Sequence, residues 1–450
     1  MAARGAVSRI CRQKGYSVKF FIAFEHEIEK CLVEYDRFSE EVETVPLTEQ
    51  IFEEGSITEW VENIIRKGIQ NRASDIHIEP QDDGVLQIRY RIDGLLALKE
   101  TFNYSREFIQ GLVSRIKIIS GMDIAEKRRP QDGRIDNFHH NGRDYFMRVS
   151  TVATIFGEKV VVRITEKGNF VSEFSELGFS AQDAAKVESL LKAPYGIIYL
   201  GGASGTGKTT TLYTMMQKLN SDEVNICSIE DPVEKTMKNI NQIQVNPAAG
   251  ITYSSTLRAF LRQDPDVIVV GEIRDKETMD LSIRASLTGH LVLTTIHANS
   301  ALDVVSRILN MDIEPYLLSV SALGFVSQRL VRVLCPHCKE KAEPSVTEKI
   351  WIDHVRNLYG IVLDGGDIYK ARGCSRCDNL GYRGRVAVVE IIVVNDAIKE
   401  IIASRQSAKA LQDEALKQGF VPIEVGALMK AFDGVTSLAE AMRVTSAFKF

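Results

Sequence analysis

The run Gly201-Gly-Ala-Ser-Gly-Thr-Gly207-Lys208-Thr209-Thr210-Thr211-Leu212 has the residue types and spacing of a phosphate cradle, G-x-x-x-x-G-K-T starting at Gly202. Gly205 and Gly207 let the backbone come close to an anion. The amides of the loop and of the helix behind it point at that anion, Lys208 reaches the β and γ oxygens of ATP, and Thr209 holds Mg²⁺. The expected nucleotide contacts are therefore Gly202, Ala203, Ser204, Gly205, Thr206, Gly207, Lys208, Thr209 and Thr210. Cleaving the γ-phosphate also needs a group that aims water. Asp264-Pro-Asp-Val-Ile-Val-Val270-Gly-Glu272-Ile-Arg274 supplies an apolar strand with a carboxylate just past its carboxyl end, where ligands of open α/β sheets bind. Glu272 is the expected general base or water-positioner, oriented by Arg274. A second apolar strand, Ile226 to Ile229, ends in acids that include Glu230 and Glu234, suited to a metal-bound water or a phosphate network. A third, Leu291 to Ile296, is bracketed by His290 and His297, which points to coupling between the γ-phosphate and an interface.

The cysteines carry a separate chemistry. Cys335-Pro-His-Cys338 and Cys374-Ser-Arg-Cys377 are two C-x-x-C knuckles separated by 35 residues, a pattern that closes a tetrahedral four-thiolate site on Zn²⁺. Four protein ligands leave no open position, so the metal is structural, and His337 is left out of the shell.

The elements that must position these groups are legible in part. The glycine loop follows the apolar strand Gly196 to Leu200 and leads into a helix-forming run, the context the motif requires. Upstream, Ser56-Ile-Thr-Glu59 has capping-box spacing, and Ile57, Val61, Ile64, Ile65 and Ile69 recur near the helical period. Asp75 to Glu79 and Val85 to Ile92 read as strands, with a turn at Asp93-Gly94. On the second of these Arg89 and Arg91 share one face, either a wet side or a basic surface. Pro130-Gln-Asp-Gly-Arg134 reads as a tight turn, and Tyr145 to Thr151 and Lys159 to Thr165 as strands that aim Arg148 and Arg163 outward. Lys167-Gly168 reads as a hinge. The expected organisation is an atypical segment 1–55, an α+β domain 56–165, a linker 166–180, an α/β nucleotide-binding core 181–330, a tetracysteine zinc subdomain 331–390 and a helical region 391–450.

Composition narrows the class. The chain has 450 residues, 44% hydrophobic and 26% charged, with a formal charge of −5. That is a globular multi-domain composition without the positive field of a nucleic-acid binder, and no apolar run approaches the roughly 20 residues of a membrane span. Seven cysteines, four of them in knuckles, favour metal over disulfide and a reducing cytoplasm.

Taken together the motifs resemble those of the secretion ATPases that power type II secretion and type IV pilus extension. The resemblance rests on Ser74-Asp-Ile-His-Ile-Glu-Pro80, Arg89-Tyr-Arg-Ile-Asp-Gly94, Pro130-Gln-Asp-Gly-Arg134, the phosphate loop, Ile229-Glu-Asp-Pro-Val-Glu234, Leu261-Arg-Gln-Asp-Pro-Asp266, Gly271-Glu-Ile-Arg-Asp275, Thr288-Gly-His290 through His297, and Gln328-Arg-Leu-Val-Arg332 before the knuckles. It covers about residues 56–450. It implies a RecA-like P-loop core preceded by a smaller PAS-like α+β domain, with a zinc insert and a helical C-terminus. It also implies a homohexameric ATPase in the cytoplasm, peripheral to the inner membrane, that works on a membrane platform protein and through it on pilin or pseudopilin subunits, with no nucleic-acid partner. In that family arginines of the N-terminal domain approach the phosphates; Arg148 and Arg163 match them. Glu230 and Glu234 match the family's aspartate box, Glu272 its Walker B carboxylate, and His290 and His297 its histidine box. Retraction ATPases usually lack the tetracysteine insert, so its presence favours the extending or secreting branch. Relatives commonly carry Pro where this chain has Ala203, a change that leaves the phosphate-facing residue types in place, and they usually begin with a longer N-terminal module than 55 residues. A hexameric nucleic-acid motor and a nucleotide-binding scaffold without turnover are the alternatives from other classes.

Overall fold

The computed structural model describes residues 56–167, 171–360 and 366–445. The atypical segment 1–55, Gly168 of the expected hinge and residues 446–450 of the C-terminal region lie outside the described residues.

The first lobe is an antiparallel sheet covered on one side by helices. After the helix Ile57–Gln70 come β1 (Ala73–Pro80), β2 (Val85–Ile92), β3 (Leu95–Asn103), the helix Arg106–Ile119, β4 (Gln131–His140), β5 (Arg143–Thr154) and β6 (Gly157–Glu166). The strands lie in the order β3-β2-β1-β6-β5-β4. Alternation decides the faces. In β2, Leu86, Ile88, Tyr90 and Ile92 are buried in one cluster with Val61, Ile64 and Ile65 of the first helix and Leu112, Val113 and Ile116 of the second. Arg89 and Arg91 face the other way, toward acids of β1. Glu79 accepts two hydrogen bonds from Arg89, at 2.6 and 2.8 Å, and pairs with Lys159 at 2.7 Å; Arg91 lies 3.8 Å from Asp75.

Burial resists the charge on Glu79, yet Arg89 and Lys159 outweigh it and hold its carboxyl at about 2, below the ordinary 4.5. The stability this group contributes is present above pH 4.5 and is lost as pH falls toward 2. Replacing Glu79 by Gln is expected to lower Tm at pH 7, with the gap to wild type closing as melts are recorded down to pH 2; a gap constant with pH would show that the charge contributes nothing.

One sequence expectation is corrected here. Pro130 to Arg134 is not a tight turn, because β4 starts at Gln131, opposite Thr151. The turn lies earlier and is closed by the Gln131 side chain, which donates to the carbonyls of Asp123 and Glu126 and accepts from the Asp123 amide, all within 2.9 Å.

The second lobe begins with the helix Ala181–Leu191 and continues through β7 (Gly196–Gly201), the helix Lys208–Leu219, β8 (Ile226–Glu230), β9 (Ile240–Gln244), the helix Tyr253–Phe260, β10 (Val267–Val270), the helix Lys276–Leu287, β11 (Leu291–Ile296), the helices Ala301–Leu309 and Pro315–Ser321, and β12 (Ala322–Leu334). After β13 (Glu340–Lys341), the helix Val346–Tyr359 and β14 (Tyr369–Lys370), the chain returns as β15 (Tyr382–Val393), and the helices Asp396–Ala403, Ala408–Lys417, Ile423–Phe432 and Leu438–Thr445 follow. The sheet order is β15-β12-β7-β11-β10-β8-β9, parallel except at the β12–β15 edge.

Both faces of this sheet are covered, which is why its strands read as continuous apolar runs. Ile197 and Tyr199 pack on one side with Leu257, Met279, Val304 and Leu318, and Ile198 and Leu200 on the other with Leu212, Met215 and Val187. Because β12 and β15 are neighbours, the knuckles sit on an excursion between two adjacent strands. That excursion and the start of β15 also reach the first lobe: Leu380 packs against its core, and Asp93, in the β2–β3 turn, accepts from the Gly384 amide at 3.0 Å and lies 3.9 Å from Arg385. No described helix is long and apolar enough to cross a membrane.

Candidate functional site

The parallel strands β7, β11, β10 and β8 point the same way, so the segments following their carboxyl ends gather along one edge of the sheet. The strand order sets what meets there. With β11 between β7 and β10, His297 stands between the glycine loop and Glu272.

The loop's shape depends on glycine at two positions. Gly207 has φ +90° at the start of the helix Lys208–Leu219, and a Cβ there would meet the Gln328 amide at 2.9 Å. Gly202 has φ +152°, and a Cβ would fall 2.4 Å from the Thr206 hydroxyl. Lys208 lies over the loop, its Nζ donating to the carbonyls of Gly202 at 2.6 Å and Ala203 at 2.9 Å. Burial lowers the Lys208 ammonium, and the Glu272 charge opposes that shift.

Glu272 is held from both sides. The Gly271 amide donates to Ile229, the Ile273 amide donates to Thr295, and the Thr295 hydroxyl donates to the Gly271 carbonyl at 2.7 Å, which fixes the turn on both sides. One Glu272 oxygen lies 2.9 Å from His297 Nε2, and the other accepts from Arg274 Nε at 2.8 Å. Arg274 also approaches Asp231, at 3.8 Å.

The remaining sequence-selected residues divide. The Arg148 guanidinium, from β5 of the first lobe, forms an ion pair at 2.5 Å with Glu234, just past β8 of the second. Arg163 is opposite Arg148 in register but is held by Asp75 at 2.9 Å. Glu230 is buried: it accepts from the Tyr213 hydroxyl at 2.5 Å, from Ser228 at 2.7 Å and from Gln242 at 3.1 Å, an interior network behind the glycine-loop helix. His290 and His297 do not form one cluster within the chain. They flank the six residues of β11, which at about 3.3 Å per residue puts them roughly 20 Å apart. His290 Nδ1 lies 2.8 Å from the Ala285 carbonyl at the edge opposite the glycine loop.

Gln328 was legible only as part of a motif, without a role. Buried on β12, it donates to the Thr206 carbonyl and accepts from the Thr211 hydroxyl, both at 2.8 Å, and so fastens the loop to the neighbouring strand.

The four knuckle sulfurs converge within 4.8 Å of one another, with Cys335–Cys374 at 4.0 Å, Cys338–Cys377 at 3.8 Å and Cys374–Cys377 at 3.7 Å. A tetrahedral shell with metal–sulfur bonds of about 2.3 Å requires sulfur separations of about 3.8 Å, so the donors fit Zn²⁺. The amides of Gly381 and Cys374 donate to Cys377 Sγ at 3.2 and 3.3 Å, as second-shell donors to a thiolate do. His337 faces Arg376 at 2.9 Å.

Comparison with known proteins gives the family. Residues 50–443 match the family described as Type II/IV secretion system protein. The type IV pilus assembly ATPase PilB of Myxococcus xanthus is 38% identical over 450 residues, which is 100% of this chain and 77% of that protein. The type II secretion system ATPase E of Vibrio cholerae is 42% identical over 413 residues, 91% of this chain and 80% of that one. Among solved structures, the Legionella pneumophila ATPase DotB superposes with a TM-score of 0.63 at 17% identity, covering 86% of this chain and 95% of its own. The pilus retraction motor PilT with bound ADP superposes at 0.56 with 25% identity, over 85% and 95%. With a family match across most of its length and relatives near 40% identity, the chain belongs to the type II/IV secretion system protein family.

Proposed function

We propose that this chain hydrolyses ATP, working as a homohexamer on the cytoplasmic face of the inner membrane and driving pilin or pseudopilin assembly through a membrane platform protein. The observation that carries the reading is Glu272, beside the glycine loop and held on one oxygen by His297 and on the other by Arg274. A carboxylate fixed in this way is suited to aim a water at the γ-phosphate. The loop from Gly202 to Thr210 binds the phosphates, with Lys208 leaving the loop carbonyls for the γ-phosphate oxygens. Thr209 would hold Mg²⁺, which supplies charge neutralisation between the β and γ phosphates when bound. Arg148 exchanges Glu234 for phosphate as the lobes close, and Arg163, next to it in register, follows if released by Asp75. His290, at the far edge, serves the interface between subunits, and Glu230 acts by positioning the glycine-loop helix through Tyr213.

In this reading the first lobe is the PAS-like α+β domain and the second the RecA-like P-loop core, with 166–180 as linker. The zinc subdomain is the excursion between β12 and β15, and the C-terminal helices complete the chain. Zn²⁺ on Cys335, Cys338, Cys374 and Cys377 is structural. The decisive measurement is phosphate release by the purified, assembled protein with Mg-ATP: steady release is expected, and a particle that holds ATP without cleaving it would remove the motor reading. DNA-stimulated release with a steep salt slope would favour a nucleic-acid motor instead.

Gln328 gives a graded test. Replacing it by Ala leaves the Thr206 carbonyl and the Thr211 hydroxyl without their partner, at about 1–3 kcal/mol each when buried. KM for ATP is expected to rise about tenfold or more with a smaller change in kcat; an unchanged KM would show that the loop needs no fastening.

A further inference from the structure

Glu390 is a lone acid within the apolar run Val386 to Val393 of β15, and its side chain is almost fully buried. A carboxylate in such a place needs donors on both oxygens. It has them, and both are helix starts. Oε1 accepts from the Ala301 amide, first residue of the helix Ala301–Leu309, and Oε2 accepts from the Ile423 amide at 3.2 Å, first residue of the helix Ile423–Phe432. The second helix has Pro422 before it and no capping side chain of its own, so Glu390 supplies the acceptor and faces the positive ends of two helix dipoles. Only Ala298, Asn299 and Ser300 separate Ala301 from His297. A second tie runs parallel: Arg329 of β12 donates to the Asn299 carbonyl at 3.3 Å and to the Val444 carbonyl in the last described helix. The loop carrying His297 is thus bound to the C-terminal helices twice, through side chains of two adjacent strands.

We infer that Glu390 is a positioning residue for hydrolysis, strapping the His297 loop to the C-terminal helices so that docking of those helices sets His297 against Glu272. The inference rests on the reading of Glu272 and His297 as hydrolytic groups. Burial pushes the Glu390 carboxyl up to about 7 and Glu424 adds to this, while the two amides and Arg329 pull it down. The group is therefore held by geometry against a cost, as expected where position matters more than stability.

Glu390→Gln keeps the shape but turns one oxygen into a donor that faces an amide. In the full chain, kcat is expected to fall ten- to a hundredfold, the loss that follows a displacement of about 1 Å. Affinity for a fluorescent ATP analogue should stay within about threefold, and the amides of 298–301 should exchange hydrogen at least about tenfold faster. Unchanged kcat and exchange would overturn the inference, as would affinity, kcat and Tm all falling together, which would mark a merely structural group. Should E390Q fail to fold, Arg329→Gln leaves the carboxylate bonded and cuts the second tie, and the same readouts apply with the same expected direction. Absence of turnover in the wild-type protein would overturn the proposed function rather than the strap, which the exchange comparison reads independently.

Discussion

Replacing Glu272 by Gln is expected to lower kcat by about 10²–10⁴-fold, the usual contribution of one positioned base, while ATP affinity is retained or improved. The two halves of that expectation have separate causes. Turnover falls because the amide cannot serve His297 and Arg274 as the carboxylate does: it carries no charge, and one of its two terminal atoms becomes a donor, which cannot pair with Arg274 Nε at 2.8 Å and suits His297 Nε2 at 2.9 Å only in the tautomer that accepts there. The remaining oxygen is also too weak a base to polarise water. Affinity persists because the phosphate-facing amides, Lys208 and the Gln328 clamp are untouched, and because a negative charge near the triphosphate has been removed. Single-turnover hydrolysis and equilibrium binding of a fluorescent ATP analogue measure the two halves independently. A kcat within threefold of wild type would take Glu272 out of the reaction; a loss of binding equal to the loss of rate would make it a structural prop of the loop.

The same edge of the sheet shows what a sequence can and cannot disclose. The glycine loop and Glu272 were readable because each is local: an apolar strand of four to six residues, then the group at its carboxyl end. Their meeting follows from parallel topology alone. Gln328 needed knowledge that β12 lies beside β7, a pairing across more than a hundred residues that no local pattern encodes. The two histidines were placed correctly at the ends of one strand, but which of them meets the carboxylate depends on strand direction and order: His297 reaches Glu272, and His290 lies at the opposite edge. Gln131 to Arg134 contain the residues of a turn, yet pairing with β5 draws them into a strand, a case of tertiary context overriding propensity. Glu390 was visible as a charge amid apolar residues, but its partners are two helix starts that precede and follow it in sequence.

Replacing Cys374 by Ser is expected to release the metal and loosen the knuckle end of the excursion between β12 and β15 without destroying the nucleotide loop. Structural zinc sites supply an apparent folding free energy of about 10–16 kcal/mol in small domains, comparable with the whole stability of about 5–15 kcal/mol of an ordinary one. The knuckle end of the excursion has few ties besides the metal among the described residues, because β13 and β14 are two residues each and the Cys335 amide bond to the Gly381 carbonyl joins the knuckles only while they stay together; the helix Val346–Tyr359 is anchored separately, with Trp351, Ile352 and Val355 packed against Val331, Val388 and Leu428. Removing one thiolate leaves three buried sulfurs and an incomplete shell, which weakens the hold on the metal. The consequence extends past the metal. Leu380, three residues beyond Cys377, packs against the first lobe's core, and Gly384, at the start of the following strand β15, donates to Asp93. Loosening the knuckle should therefore weaken the hold of the second lobe on the first, and, on the proposed role of Arg148 at the phosphates, ATP turnover should drop more than ATP affinity, which the loop on β7 retains. Metal analysis of the purified protein should find one zinc per chain in wild type and little in C374S. Hydrogen exchange should rise across 335–341 and 371–381, and protease cleavage should begin there. Wild-type protein free of zinc, or a variant with unaltered melting and exchange, would remove the metal from the fold and leave the four converging sulfurs without a function.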